Sequence, residues 1–220
     1  DLLTHRNDGT NVIFYNDGFE NFTDSITIAS SKKMIPSSSI LDANGDGYQD
    51  ILINGKNHYS DEYALNLYIN DQSNNFNLLQ NAPIPNLSYS SIDYGDIDGD
   101  LDEDLIMNGT YNNEQICKLF TNDGKGNFTL QSNTPFIGVV ESKIEFGDID
   151  GDGDLDLFIL GFNLLNMSRE HIQIYINNGQ GIFEEKKEHP VKFLSYASLK
   201  LIDVDSDNDL DFKPHIFPSD

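Results

Sequence analysis

Asp148-Ile149-Asp150-Gly151-Asp152-Gly153-Asp154-Leu155-Asp156 sets a carboxylate at every second residue, and stretches of the same design begin at Asp42, Asp96 and Asp203. The intervals between them are 54, 52 and 55 residues. A second, unrelated motif keeps step: an Asn opening a turn with Phe six residues on, at Asn16 to Phe22, Asn70 to Phe76, Asn122 to Phe128 and Asn177 to Phe183, again 54, 52 and 55 apart. Two motifs that drift by the same small insertions mark a structural repeat of about 54 residues.

Within each unit the apolar residues lie in short runs rather than on a helical period. Ile51-Leu52-Ile53, Leu65-Asn66-Leu67-Tyr68-Ile69 and Ile172-Gln173-Ile174-Tyr175-Ile176 read as strands. Ile144-Glu145-Phe146 alternates as a half-buried strand does, whereas Leu157-Phe158-Ile159-Leu160 is apolar throughout, as in a strand covered on both faces. Asn122-Asp123-Gly124-Lys125-Gly126 is a hairpin signal, since Asn, Asp and Gly tolerate positive φ. One strand before the Asp-rich stretch, one after it and a hairpin make four per unit, the pattern of a propeller blade. The expectation is therefore all-β: blades of four antiparallel strands, about four of them, belonging to a larger propeller. The whole chain, 1–220, reads as one segment divided into a partial blade (1–36), three blades (37–89, 90–141, 142–194) and a second partial blade (195–220).

The four Asp-rich loops offer side-chain oxygens at relative positions 1, 3, 5 and 9. These are Asp42, Asn44, Asp46 and Asp50; Asp96, Asp98, Asp100 and Asp104; Asp148, Asp150, Asp152 and Asp156; Asp203, Asp205, Asp207 and Asp211. Alternate residues of a curled loop can point inward together, and hard oxygen donors in this number suit calcium (Ca2+). Position 7 (Tyr48, Asp102, Asp154, Asp209) would add a backbone carbonyl, so three to four ions per chain are expected. Gly47 and Gly153 ease the turn at position 6 and Asn208 tolerates it, but Leu101 departs from the pattern. An EF-hand is rejected because position 12 is Ile53, Met107, Ile159 or Pro214, where an acidic ligand is required. Four carboxylates without a cation would repel one another, which disfavours a merely solvated turn.

With these residues in view, Phe146 to Leu157 and Tyr175-Ile176-Asn177-Asn178-Gly179-Gln180-Gly181-Ile182-Phe183 resemble the FG-GAP/VCBS repeat family, the integrin-α-like calcium-binding propellers. The resemblance implies a propeller of about seven or eight blades, with calcium in the loop joining the first two strands of a blade, and an extracellular or cell-surface (secreted) setting. A Gly-Ala-Pro element is missing; Asn81-Ala82-Pro83 is a partial echo.

Composition narrows the partners. Asp plus Glu number 37 against 13 Lys plus Arg, a formal charge of -24, which argues against nucleic acid and anionic membranes. No apolar run is long enough to insert in a bilayer. Cys117, the single cysteine, sits among apolar neighbours and reads as a buried thiol. Five sequons, at Asn21, Asn86, Asn108, Asn127 and Asn166, stand against about three that such a composition supplies by chance, and are weak evidence for secretion. The five histidines form no HExxH and there is no GxSxG, so an enzyme is not expected. The leading expectation is an adhesion or binding module for a protein or glycan ligand. A polysaccharide lyase-like enzyme or a lectin stacking sugars on Tyr59, Tyr63 or Tyr111 is the alternative. A ligand surface is expected on the edge away from the calcium loops, in the variable connections 56–63, 110–114 and 162–169. Asp1-Leu2-Leu3 matches Asp50-Ile51-Leu52, so flanking sequence or another chain is expected to complete the propeller.

Overall fold

The structure is a computed structural model that describes residues 1–6, 10–19, 21–28, 34–57, 63–73, 75–79, 84–165, 168–189, 198–203 and 210–215. All regular structure among these residues is strand. Strands β1 (Leu2–His5), β2 (Asn11–Asn16) and β3 (Phe22–Ile28) form a first antiparallel sheet. Three four-stranded sheets follow in simple up-and-down order. The second sheet holds β4 (Met34–Leu41), β5 (Asp50–Asn57), β6 (Tyr63–Asn70) and β7 (Phe76–Leu79). The third holds β8 (Ser88–Gly95), β9 (Asp104–Tyr111), β10 (Glu114–Thr121) and β11 (Thr129–Leu130). The fourth holds β12 (Val140–Gly147), β13 (Asp156–Asn163), β14 (Ser168–Asn177) and β15 (Phe183–Glu185). β16 (Ser198–Ile202) pairs with β17 (Asp211–His215) as a fifth sheet. β4, β8 and β12 begin slightly ahead of residues 37, 90 and 142; β8 and β12 each have an irregularity near their start, between Ser88 and Ser91 and between Val140 and Lys143.

The sheets stack face to face, and the strand after each Asp-rich loop shows how. In β5, Ile51 and Ile53 join Ile13, Ile28 and Tyr68 on one face. Leu52 joins Leu41, Leu105, Met107 and Phe120 on the other. The same alternation recurs in β13: Leu157 and Ile159 pack with Ile106, Leu119 and Tyr175, while Phe158 and Leu160 pack with Ile174 and Leu201. Side chains of a strand alternate between faces, so a strand covered on both faces must be apolar at every position. Cys117 is buried in the interface between the third and fourth sheets. Burial pushes its thiol well above the usual range, leaving an unreactive packing group.

Complementary residues set each sheet against the next. Gly95 ends β8 where a Cβ would lie 2.5 Å from the tip of Leu155, just before β13 of the fourth sheet, and Gly147 ends β12 where it would lie 2.6 Å from Leu210. The equivalent place in the second sheet is Leu41, and there the facing residue is Glu103, whose Oε2 accepts the Asp42 N–H at 2.6 Å. Along neighbouring first strands, the Ile144 N–H donates to Ser91 Oγ (3.1 Å) and the Phe146 N–H to Asp93 Oδ2 (2.6 Å). Asn108, wholly buried in β9, is a two-way clamp on the segment entering the fourth sheet. Its Nδ2 donates to Val139 O at 2.6 Å and its Oδ1 accepts from Val139 N at 2.9 Å. Asn54 makes the same pair with Leu87.

Removing such a clamp strands a buried peptide donor and acceptor together. Asn108→Ala is expected to lower stability by about 2–3 kcal/mol, the cost of leaving buried polar groups without partners. Urea unfolding of the variant beside the unaltered chain checks this through the midpoint at constant slope.

Candidate metal centres

Residues 42–49, 96–103 and 148–155 connect the first and second strands of three successive sheets. Position 1 builds the curl by accepting N–H groups from the loop's own tip. Asp96 accepts from Gly99 (2.8 Å), Asp100 (3.1 Å) and Leu101 (3.1 Å). Asp148 accepts from Gly151 and Gly153, and Asp42 from Asp46 and Gly47. Position 5 then accepts the N–H of position 7, as Asp46 from Tyr48, Asp100 from Asp102 and Asp152 from Asp154. Position 6 is left-handed throughout, with φ of 84° at Gly47, 73° at Leu101 and 97° at Gly153. Leu101 therefore follows the same path as glycine, its side chain 89% exposed, at a backbone cost of about 1–2 kcal/mol.

Position 9 has no exposed surface in these three loops. Each of its two oxygens takes one backbone N–H. Asp50 accepts from Ala43 (3.0 Å) and Asn70 (2.7 Å), Asp104 from Ile97 (3.2 Å) and Asn122 (2.8 Å), and Asp156 from Ile149 (2.9 Å) and Asn177 (2.8 Å). One bond closes the loop on its second residue and the other ties it to the 3–4 hairpin of the same sheet. Asp1 makes the hairpin bond too, from Asn16 N–H at 2.9 Å. Burial is the main influence on these acids. Asp50 is pushed up to about 6, with Asn70 and Ala43 opposing and Asp46 and Asp42 adding to the rise. Asp104 is pushed up to about 7, with Asn122 and Ile97 opposing and Asp98 and Asp100 adding.

The structure brings carboxylates together at positions 1, 3 and 9 of two loops. Oxygens of Asp96, Asp98 and Asp104 lie within 4.8 Å of one another, as do those of Asp148, Asp150 and Asp156. Either set could hold a metal ion. Asp98 Oδ1 is buried without a hydrogen-bond donor, the condition of an oxygen that fits a cation, and burial together with the charge of Asp100 raises its pKa. Position 5 stands outside both sets, and one of its two oxygens accepts the position 7 N–H. The side chains at position 7, Asp102 and Asp154, lie over the hairpin glycines Gly124 and Gly179, where a Cβ would come within 2.3 Å of their carboxylates. In the first loop Asn44 Nδ2 instead donates to Asp46 Oδ2 at 3.1 Å.

Of the fourth loop, Asp203 is partly buried and Asp211 opens β17, while Asp205, Asp207 and Asp209 lie outside the described residues. So do Asn166, Tyr59 and the Asn81-Ala82-Pro83 echo, as well as the side chain of Tyr63. Among the described residues, three acids of the hairpin turns stand outside these sets: Asp17, Asp71 and Asp123 each receive two backbone N–H groups and the side-chain amide of Asn21, Asn75 or Asn127. These bonds hold their carboxyls below the usual range. In the sequence Asn70, Asn122 and Asn177 read only as turn residues; each follows a position 9 aspartate once per repeat, by 20, 18 and 21 residues, and that recurrence is the local sign of a bond between them.

The raised acids set a pH dependence for the cation-free protein. A carboxyl whose folded-state pKa lies above its unfolded value of about 4 binds its proton better when folded, so stability is full below that pH and declines as pH rises to about 7. The lowered acids titrate beneath this window. Chelated protein is expected to melt lower at about pH 8 than at about pH 5, and Asp104→Asn to flatten that difference. Thermal melts across the range measure it.

The profile of the FG-GAP-like repeat matches residues 42–107, 96–159 and 148–212, three tandem copies that overlap on an Asp-rich loop and the start of the strand after it. No curated protein gives a significant match. With the matched units extending from residue 42 to 212, the chain belongs to the FG-GAP-like repeat family.

Proposed function

We propose that the chain is a calcium-stabilised binding or adhesion module that works outside the cell or at its surface, recognising a protein or glycan through loops on one edge of its sheets. The observation carrying this reading is the division of labour between the two sheet edges. One edge repeats the same acidic loop, with two carboxylate sets that could each hold an ion. The other edge carries connections that differ from sheet to sheet.

Calcium is favoured over magnesium because its coordination geometry adapts to a crowded carboxylate loop, whereas magnesium demands a strict octahedron. Repeats of this family commonly bind calcium and are typical of extracellular or surface proteins. On the opposite edge the β9–β10 turn is tight, with φ of 49° at Asn112 and 65° at Asn113. The next sheet's turn is joined to it: Gln115 Nε2 donates to Phe162 O at 2.7 Å and its Oε1 accepts from Leu164 N at 2.8 Å. This bridge sets Tyr111, Leu164 and Leu165 as exposed apolar groups on variable turns, Leu165 with 89% of its surface free. Recognition on such loops needs a rigid frame, which the metal loops and sheet stacking provide. In this reading the chain is not an enzyme, and its buried carboxylates serve the fold and the ions. Packing joins β4 and β5 to β8, β8 and β9 to β12, and β12 to β16. These sheets are therefore neighbours in chain order, and in this reading flanking sequence or another chain would complete them into a ring.

Three outcomes test the proposal. Calcium is expected to raise the melting temperature and chelation to lower it, because a ligand that binds only the native state stabilises it by mass action. Elemental analysis after dialysis against calcium should find three to four ions per chain (the family-like loops number four), and a count of zero or one would sink the calcium reading. Exchanging the 110–114 and 162–165 turns between sheets should abolish ligand capture on protein and glycan arrays while leaving the calcium-dependent melt unchanged.

A further inference from the structure

We infer that Asn122 and Asn177 are positioning residues that couple the metal loops of successive sheets, so that filling one loop tightens cation binding in its neighbour. The inference rests on the calcium reading above. The amide of Asn122 spans two sheets: Nδ2 donates to Ala43 O in the preceding loop at 2.9 Å and to Glu103 O in its own loop at 3.2 Å. Asn177 repeats this, to Ile97 O at 2.7 Å and Leu155 O at 3.1 Å. In both, the bond between sheets is the shorter. A second contact accompanies it in the fourth sheet, where Gly181 N also donates to Ile97 O at 3.0 Å.

These bonds join end to end with those of position 9. Asp50 holds the N–H of Ala43, whose carbonyl is held by Asn122. The N–H of Asn122 is held by Asp104, which also holds the N–H of Ile97. The carbonyl of Ile97 is held by Asn177, whose N–H is held by Asp156. All seven residues of this path are buried, and Ile149, whose N–H Asp156 also holds, is partly so. No water-facing residue interrupts it from the first loop to the third.

The path passes through the residues that would hold the ions. Asp104 and Asp156 belong to the two carboxylate sets, and Asp50 occupies the same place in the first loop. Ordering a loop fixes its second residue through the position 9 carboxylate. Fixing that residue fixes the amide of the next sheet's Asn, and with it the next position 9 carboxylate. The second loop then has less freedom left to lose when it binds, which is positive coupling without any change of shape. By linkage the coupling acts equally in both directions. An Asn that only shaped its own hairpin would need no bond to the preceding loop.

Calorimetric calcium titration of the full chain tests this with a double-mutant cycle. Asp42→Asn combined with Asp46→Asn disables the first loop, and is expected to weaken binding at the remaining loops by about fivefold or more. In an Asn122→Ala background the same pair of changes should have no further effect on them. An equal drop with and without Asn122, or no drop at all, overturns the coupling. Should Asn122→Ala fail to fold, amide hydrogen exchange in the Asp42→Asn, Asp46→Asn chain provides the reading. Calcium should then protect the Ile97 and Asn122 amides less than in the unaltered chain, and equal protection overturns the inference. Absence of calcium uptake by the unaltered chain would overturn the calcium reading and the coupling together, whereas uptake at independent sites overturns the coupling alone.

Discussion

A carboxylate buried between a loop and a hairpin is the interaction on which the rest of this structure depends. An ionised acid with no exposed surface is costly unless its oxygens are satisfied, and here each of three such acids is satisfied by two backbone N–H groups. The cost of burial leaves its mark in the raised pKa values of Asp50 and Asp104. In return the loop is closed at its second residue and the hairpin is anchored at its first. Position 9 thus shapes the loop that presents the other carboxylates, and a cation sharing that carboxylate would relieve the desolvation that burial imposes.

From this anchor the architecture extends by repetition with compensation. Where a first strand ends in glycine, as at Gly95 and Gly147, a leucine of the next unit fills the space; where it ends in Leu41, the facing residue is Glu103, which reaches the Asp42 N–H instead. A similar exchange occurs in the hairpins. Asp102 and Asp154 lie over Gly124 and Gly179, whereas the second sheet has Tyr48 and Gln72, and Gln72 Nε2 reaches Asp46 Oδ2 at 3.4 Å. Neighbouring units therefore fit each other in pairs rather than as identical copies, and a repeat moved to another place in the array would meet the wrong partner. Stability in such an array comes from nearest-neighbour interfaces, which places the specificity of the fold in these exchanges.

Much of this was legible in the amino-acid sequence. The strand Leu157-Phe158-Ile159-Leu160 declared its burial on both faces, and the paired intervals of the Asp-rich and Asn-turn motifs declared the repeat. The hairpin at Asn122-Asp123-Gly124-Lys125-Gly126 followed from residues that tolerate left-handed φ, and φ is 67° at Gly124 and 80° at Gly126. Leu101 looked like a defect in its loop, yet its backbone takes the same turn at φ 73°. The N–H groups gathered by Asp96 hold that conformation against its strain. Local preference ranked the residue correctly as unfavourable, and local hydrogen bonding outweighed it.

By itself the sequence determined the repeat, the number of strands in each unit and the alternation of oxygen donors along each loop. All three depend on periodicity and on the φ tolerance of individual residues, quantities that near neighbours in the chain decide. Tertiary structure alone decided what each oxygen does: positions 1, 3 and 9 converge, position 5 turns to the backbone, and the amides of Asn122 and Asn177 reach carbonyls 79 and 80 residues away. A donor and an acceptor so far apart in sequence meet only when apolar burial has already stacked the sheets, and no local pattern records that encounter.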